Sequence, residues 1–163
     1  MPMLAVQLGD LLKENGLMLT TAESCTGGGV AQAITEIAGS SGWFERGFVT
    51  YTNDAKREML GVLPDTLTRH GAVSEAVVRE MVAGALRHSR AQVALAVSGI
   101  AGPAGGTPEK PVGTVWFAWG VLNRPCVAQL HRLAGNRSEI RTQAVRISLQ
   151  GTIDLLNQLT ESV

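Results

Sequence analysis

The chain has 163 residues, 45% of them hydrophobic and 17% charged, the profile of one domain with a buried core, which excludes a disordered or low-complexity chain. Its 14 basic and 14 acidic residues cancel, so the molecule has no global field for a polyanion and nucleic-acid binding has no electrostatic footprint. Cys25 and Cys126 form neither a C-x-x-C nor a metal-ligand spacing, and the segment before Gly16 contains Asp10, Lys13 and Glu14, unlike a signal peptide or a membrane span; a soluble, cytoplasmic protein is expected.

In chain order, Leu4, Leu8, Leu11 and Leu12 recur at helical spacing and Gly16 supplies a stop, predicting a first helix. Leu17 to Thr21 reads as a short strand, followed by a small-residue loop and a helix over Gly29 to Ile37 with Val30, Ile34 and Ile37 on one face. Phe48, Val49 and Tyr51 predict a strand over Gly47 to Thr52, and a short helix starts at Asn53, with Gly61 as its cap. Ser74 is an N-cap for a helix through about His88, which buries Val77, Val78, Met81, Val82 and Leu86. Val93 to Val97 is a buried strand that feeds a long Gly/Pro loop from Gly99 to Pro111; loops of that length in compact domains are functional or disordered. Gly113 to Val121 and Cys126 to Leu133 predict a hairpin turning at Asn123 and Arg124, and a final amphipathic helix turns Ile140, Ala144, Ile147 and Leu155 inward. Together these elements predict a single α/β domain over residues 1–163, a three-layer α/β/α sandwich with a mixed sheet.

Four segments could carry chemistry. Thr21-Ala22-Glu23-Ser24-Cys25-Thr26-Gly27-Gly28-Gly29 stands where a strand hands over to a helix N-terminus, a place that favours an anion or oxyanion but that also uses Ser, Thr and Gly as ordinary turn residues. Tyr51-Thr52-Asn53-Asp54-Ala55-Lys56 contains the one tyrosine and one of three lysines. A half-buried lysine can lose its proton and serve a serine as base, whereas a surface lysine after an Asn N-cap does nothing of the kind. Ser98 to Thr107 lies at the carboxyl end of the buried strand, where ligands of open α/β sheets collect and where closely spaced glycines expose backbone N–H groups. Arg137 and Arg141 stand one turn apart near the start of the last helix and suit either a phosphate or a surface carboxylate. Between Gly120 and Gln150, Arg124, Arg132 and Arg146 join them with Glu139 as the one acid, a solvated face or a small anion site. His70, His88 and His131 are scattered, so a histidine triad or catalytic zinc lacks its parts, and a metal-free, lysine-assisted hydroxyl mechanism is the one these motifs build.

These motifs together resemble the C-terminal domain family of competence/damage-inducible protein CinA, whose stand-alone members are nicotinamide-nucleotide amidohydrolases. The resemblance covers nearly the whole chain and rests on Thr21 to Gly28, Ser40-Ser41 before Trp43-Phe44, Tyr51 to Lys56, Gly71-Ala72-Val73-Ser74, and Ser98 to Pro103 with Gly105-Gly106-Thr107. It implies an α/β/α domain, frequently dimeric, that hydrolyses the carboxamide of nicotinamide mononucleotide without metal or cofactor. It further implies Ser24 as nucleophile, Lys56 as its base, Tyr51 as a partner that orients or donates, and Ser41 as an assistant. Thr26, Gly27, Gly28, Gly102, Gly105, Gly106 and Thr107 then fall to substrate binding, and Arg137 to the phosphate. Asn136 departs from the family's usual Asp between Gly and Arg. Larger members carry an additional N-terminal domain resembling molybdopterin-cofactor binding proteins, and the chain here is expected to have the amidase function alone. The competing expectation is a non-catalytic module that binds a nucleotide or a partner protein.

Overall fold

The computed structural model describes residues 1–161; positions 162–163, part of the expected single domain, lie outside the described residues. The elements run α1 (Pro2–Glu14), β1 (Leu19–Glu23), α2 (Gly29–Thr35), a 3-10 turn (Ser40–Gly42), β2 (Phe44–Val49), α3 (Asn53–Leu60), α4 (Pro64–His70), α5 (Glu75–Arg87), β3 (Val93–Gly99), β4 (Thr114–Val121), β5 (Val127–Arg132) and α6 (Arg137–Glu161). The sheet order is β2-β1-β3-β4-β5, with β1 parallel to both neighbours and β4 and β5 antiparallel. It is the mixed sheet that the sequence predicts.

Alternation along the strands builds two cores of different grain. Leu19, Val93, Leu95, Val97, Val115, Phe117 and Trp119 face α1, α2 and α6, where Leu8, Leu12, Val30, Ile34, Ile140, Leu149 and Ile153 meet them. Full burial of such a side chain stabilises the fold by roughly 1.5–3 kcal/mol. The other face carries Ala22, Ala94, Ala96 and Ala118, and Val77, Val78, Met81 and Val82 of α5 pack on it with Leu60. Small strand residues let α5 lie close to the sheet. Gly84 does the same on its far side, because a Cβ there would lie 1.9 Å from the Leu60 carbonyl oxygen.

Three elements differ from the sequence reading. β1 runs Leu19–Glu23, two residues later than the expected Leu17 to Thr21, because the Leu17 N–H turns back to the Leu12 carbonyl at the end of α1. β2 begins at Phe44 and ends at Val49, earlier than expected, because it is an edge strand whose Glu45 and Arg46 hide its pattern and because the chain leaves the sheet at Thr50 to enter α3. α4, a seven-residue helix opened by Pro64, has no apolar stripe from which it could be read. Asn123 turns the β4–β5 hairpin at φ 66°, where the turn is expected.

Candidate active site

The parallel register aligns Glu23 with Val49 of β2 and Val97 of β3, so the chains leaving three strands do so at one level. The path from β1 runs first to β2 on one side, and the sheet is later extended on the other side by β3. Ligands bind at such a switch point, outside the carboxyl ends of the strands. A cleft of about 310 Å³ opens there, with Ser24, Cys25, Tyr51, Asn53, Lys56, Ser98, Gly102, Gly105 and Arg137 among its lining.

Strand alternation decides what Glu23 and Ser24 do, because consecutive side chains leave a strand on opposite faces. Glu23 points to the α2 side and Ser24 to the α3 side. Ser24 there meets Lys56, whose Nζ donates to Ser24 Oγ at 2.9 Å, to the Thr50 carbonyl at 2.8 Å and to the Tyr51 carbonyl at 3.4 Å. The lysine comes from the first turns of α3, which Thr52 starts by accepting from the Ala55 N–H at 3.0 Å; the cap is Thr52, one residue before the Asn53 of the sequence reading.

Lys56 is only 1% exposed, and this burial brings its pKa down from 10.5 to about 8. At pH 7 roughly one molecule in ten then holds the neutral amine, a few hundredfold more than for a free lysine. Geometry fixes how the neutral form is arranged. The Thr50 and Tyr51 carbonyls can only accept, so they take the two amine protons and leave the nitrogen lone pair to the Ser24 hydroxyl proton. Cys25 also lines the cleft, but burial pushes its thiol up to about 11, so the thiolate that would attack is scarce at neutral pH.

The β1–α2 junction is closed by the protein itself. Glu23 is buried; its Oε1 accepts from Thr26 Oγ1 at 2.6 Å and from the Val30 N–H at 2.9 Å, and its Oε2 from the Ala31 N–H at 3.0 Å. The anion expected at this helix start is therefore the chain's own carboxylate. The glycine loop behaves differently. Among the described residues, the N–H groups of Ala101, Gly102, Ala104, Gly105 and Gly106 have no protein acceptor, while Ile100, Thr107 and Gly113 are bonded within the chain. At the mouth, Arg137 donates from Nη1 to the Gly102 carbonyl at 2.7 Å and from Nη2 to the Tyr51 hydroxyl at 3.2 Å.

The CinA C-terminal domain family model matches residues 2–156. The chain belongs to this family. Among its relatives, a nicotinamide-nucleotide amidohydrolase PncC of Escherichia coli K12 is 56% identical over 147 residues, covering 90% of this chain and 89% of that protein. A protein of the same name from Pseudomonas putida is 50% identical over 152 residues, covering 93% and 94%. The crystal structure of competence/damage inducible protein CihA from Agrobacterium tumefaciens superposes with a TM-score of 0.92 at 52% identity, covering 96% of this chain and 94% of that one.

Within this CinA domain, Ser24, Lys56, Tyr51, Gly102, Gly105 and Arg137 converge on the cleft, and the other expected site residues do not line it. Ser41 is exposed in the 3-10 turn before β2, at the amino end of the parallel strands and so at the opposite edge from Ser24; within one chain it cannot assist there. Thr26 is buried with its hydroxyl held by Glu23, and Gly27 and Gly28, at φ 60° and 100°, shape the turn. Gly106 sits against Val112, and Thr107 Oγ1 accepts from the Lys110 N–H at 3.0 Å to close a tight turn. The Tyr51 phenol, 58% exposed, bonds Arg137 and neither Ser24 nor Lys56; its backbone carbonyl is what touches the lysine.

The arginines between Gly120 and Gln150 do not form one anion site. Arg124 lies at the hairpin end of the sheet and Arg132 reaches the Glu109 carbonyl, while Arg141 is spent on the carbonyls of Cys25 and Thr26. Asn136 caps α6: its Oδ1 accepts from the Glu139 N–H at 2.9 Å, and Glu139 Oε1 accepts from the Asn136 N–H at 2.9 Å. Either Asn or Asp can serve such a capping box. Glu23, Asn53 and Ser98 lie within the candidate segments, but the sequence assigns none of them a chemical role of its own. Asn53 precedes Lys56 by three residues and so shares its helix face, a spacing that could have flagged it. Ser98 Oγ donates to the Ala72 carbonyl at 2.9 Å, a contact between segments that no spacing reveals.

Proposed function

We propose that this chain is a nicotinamide-nucleotide amidohydrolase that converts nicotinamide mononucleotide to nicotinate mononucleotide and ammonia, with Ser24 as nucleophile and Lys56 as base. The observation that carries the chemistry is the buried Lys56 Nζ, 2.9 Å from Ser24 Oγ, with its remaining contacts confined to carbonyls. Ser24 Oγ adds to the carboxamide carbon and its proton passes to Nζ. The C–N bond then breaks, the nitrogen takes that proton, and ammonia leaves a nicotinoyl ester on Ser24. Water adds to the ester carbon, giving its proton to Nζ; the ester C–O bond breaks and the proton returns to Ser24 Oγ. Lysine ends neutral, as it began.

Recognition falls to the mouth. The exposed Arg137 guanidinium and the free N–H groups of the glycine loop give a phosphate monoester a charge-assisted donor and several neutral ones. We propose further that the protein works as a homodimer in the cytoplasm, which sedimentation and cell fractionation test. No helix among the described residues is long and apolar enough to cross a membrane.

The deciding assay measures ammonia release from nicotinamide mononucleotide, nicotinamide riboside and free nicotinamide. Turnover of the mononucleotide is expected to rise with pH through about 8, the value to which burial brings Lys56. The riboside, without its phosphate, should be poorer by roughly ten- to a hundredfold in kcat/KM, the value of a lost charged hydrogen bond. Equal use of both compounds rejects the phosphate site. Tight nucleotide binding with no ammonia released indicates a non-catalytic module instead.

A further inference from the structure

The segment from Ser24 to Gly28 is neither strand nor helix, yet nucleophile catalysis needs its first residue held to within a fraction of an ångström. Glu23 holds it from the α2 side. From α6, Arg141 Nε donates to the Cys25 carbonyl at 3.0 Å and Nη2 to the Thr26 carbonyl at 3.3 Å. Gly27 leaves room for this approach, since a Cβ there would lie 3.2 Å from the same Nη2.

Arg141 does not face the substrate cleft. It lines, with Thr26, Gln32 and Ser138, a separate groove behind the loop, whereas Ser24 and Cys25 line the cleft in front. The peptide between Cys25 and Thr26 is trans, so its N–H is antiparallel to its C=O. With the Cys25 carbonyl drawn back to Arg141, the Thr26 N–H points away from the arginine. Among the described residues it has no protein acceptor.

We infer that Arg141 is a positioning residue of the reaction: it draws the Cys25 and Thr26 carbonyls backward, fixing the aim of Ser24 and turning the Thr26 N–H forward as a donor to the oxyanion. This rests on the amidohydrolase reading. The oxyanion forms when Ser24 Oγ adds to the carboxamide and the carbonyl π pair moves onto oxygen, and a preset backbone donor stabilises that charge without reorganising. Arg137, one turn earlier on α6 and facing the cleft, binds; Arg141 aims. Arg141 lines the groove behind the loop and not the cleft, so it is not placed to hold the substrate's phosphate.

The experiment compares Arg141→Ala and Arg141→Lys with wild type for kcat, KM and folded fraction. Arg141→Ala is expected to lose about ten- to a hundredfold in kcat, less than the roughly hundred- to thousandfold lost when an oxyanion donor is removed outright, with KM for nicotinamide mononucleotide nearly unchanged. Arg141→Lys, which can still donate to one carbonyl, should fall between, and millimolar guanidinium, but not ammonium, should restore part of the alanine variant's kcat. Unchanged kcat, or a rise in KM alone, overturns the inference, as does lost activity that follows lost folded protein and resists guanidinium. Failure of the amidohydrolase reading is seen separately, as no ammonia from wild type. In that case the labelling rate of Ser24 by a fluorophosphonate still reports its aim: slower labelling in both variants supports the positioning role, and equal rates, or no labelling of wild type, overturn it.

Discussion

Two neighbouring strands hand over to helices at the same edge of the sheet, and the polar groups at the two junctions are treated in opposite ways. Where β1 meets α2, the Glu23 carboxylate takes the Thr26 hydroxyl and the Val30 and Ala31 N–H groups, all within 3.0 Å. Where β2 meets α3, a lysine is buried with no carboxylate partner among the described residues, facing two carbonyls and one serine hydroxyl. The first arrangement uses up the helix-start donors and leaves only the Thr26 N–H over. The second leaves a depressed pKa and a lone pair aimed at Ser24, so the junction with less internal satisfaction is the one with chemistry to offer.

The sharpest way to break this comparison is to remove the reactive pair. Ser24→Ala and Lys56→Ala should each lower kcat by about a thousandfold or more, and the double variant should be little worse, because groups acting as one unit lose catalysis non-additively. Ammonia release and thermal unfolding measured on the same samples decide the matter. Near-normal kcat in a folded Ser24→Ala would remove the serine nucleophile and return the β2–α3 junction to the status of architecture.

The other junction should respond in stability. Glu23→Ala leaves two backbone donors and a hydroxyl without their acceptor in a buried place, which should cost about 2–4 kcal/mol. Urea unfolding checks this. A loss below about 1 kcal/mol would mean that water replaces the carboxylate readily and that this helix start is open to an anion after all.

What the sequence made legible follows the same division. The strand–loop–helix order, the Ser74 cap and the cluster of Ser24 with Lys56 came from periodicity, capping chemistry and motif resemblance. Glu23 is hidden because the sequence ends the strand at Thr21 and leaves Glu23 to the loop, whereas β1 runs Leu19–Glu23 and is buried along its whole length. A carboxylate that folds back onto a helix seven and eight residues later leaves no periodic trace. The expectation that the helix start and the Thr26 hydroxyl bind substrate meets the same obstacle: the helix N-terminus is visible in the sequence, its internal occupant is not. Ser41 failed differently, since being near other motif residues in sequence says nothing about which end of a parallel strand a residue occupies. Arg137 and Arg141 share a helical face by spacing, yet only the contacts tell that one faces the cleft and the other the backbone behind it.

The smallest expected effect tests the electrostatic half of the comparison without any substrate. Lys56 has a pKa of about 8 when folded against 10.5 when free, so between these values the unfolded chain holds the extra proton and stability rises with pH. Below pH 8 both states are protonated, the slope vanishes, and the cost of the buried cation is fully present. Cys25 runs the other way: raised from 9.0 to about 11, it contributes stability that is intact below pH 9 and lost as pH climbs toward 11. The window that favours the lysine is therefore pH 8 to 9, where it should add about 1 kcal/mol against about 0.4 kcal/mol that the thiol takes away by pH 9. Replacing the lysine by an uncharged chain of similar length, Lys56→Met, should abolish this rise and leave the decline above pH 9. Urea midpoints at pH 7, 8 and 9 for wild type, Lys56→Met and Cys25→Ala separate the two groups. If wild type and Lys56→Met keep parallel midpoints through this window, Nζ titrates near its free value despite its burial, and Ser24 has no base beside it at neutral pH.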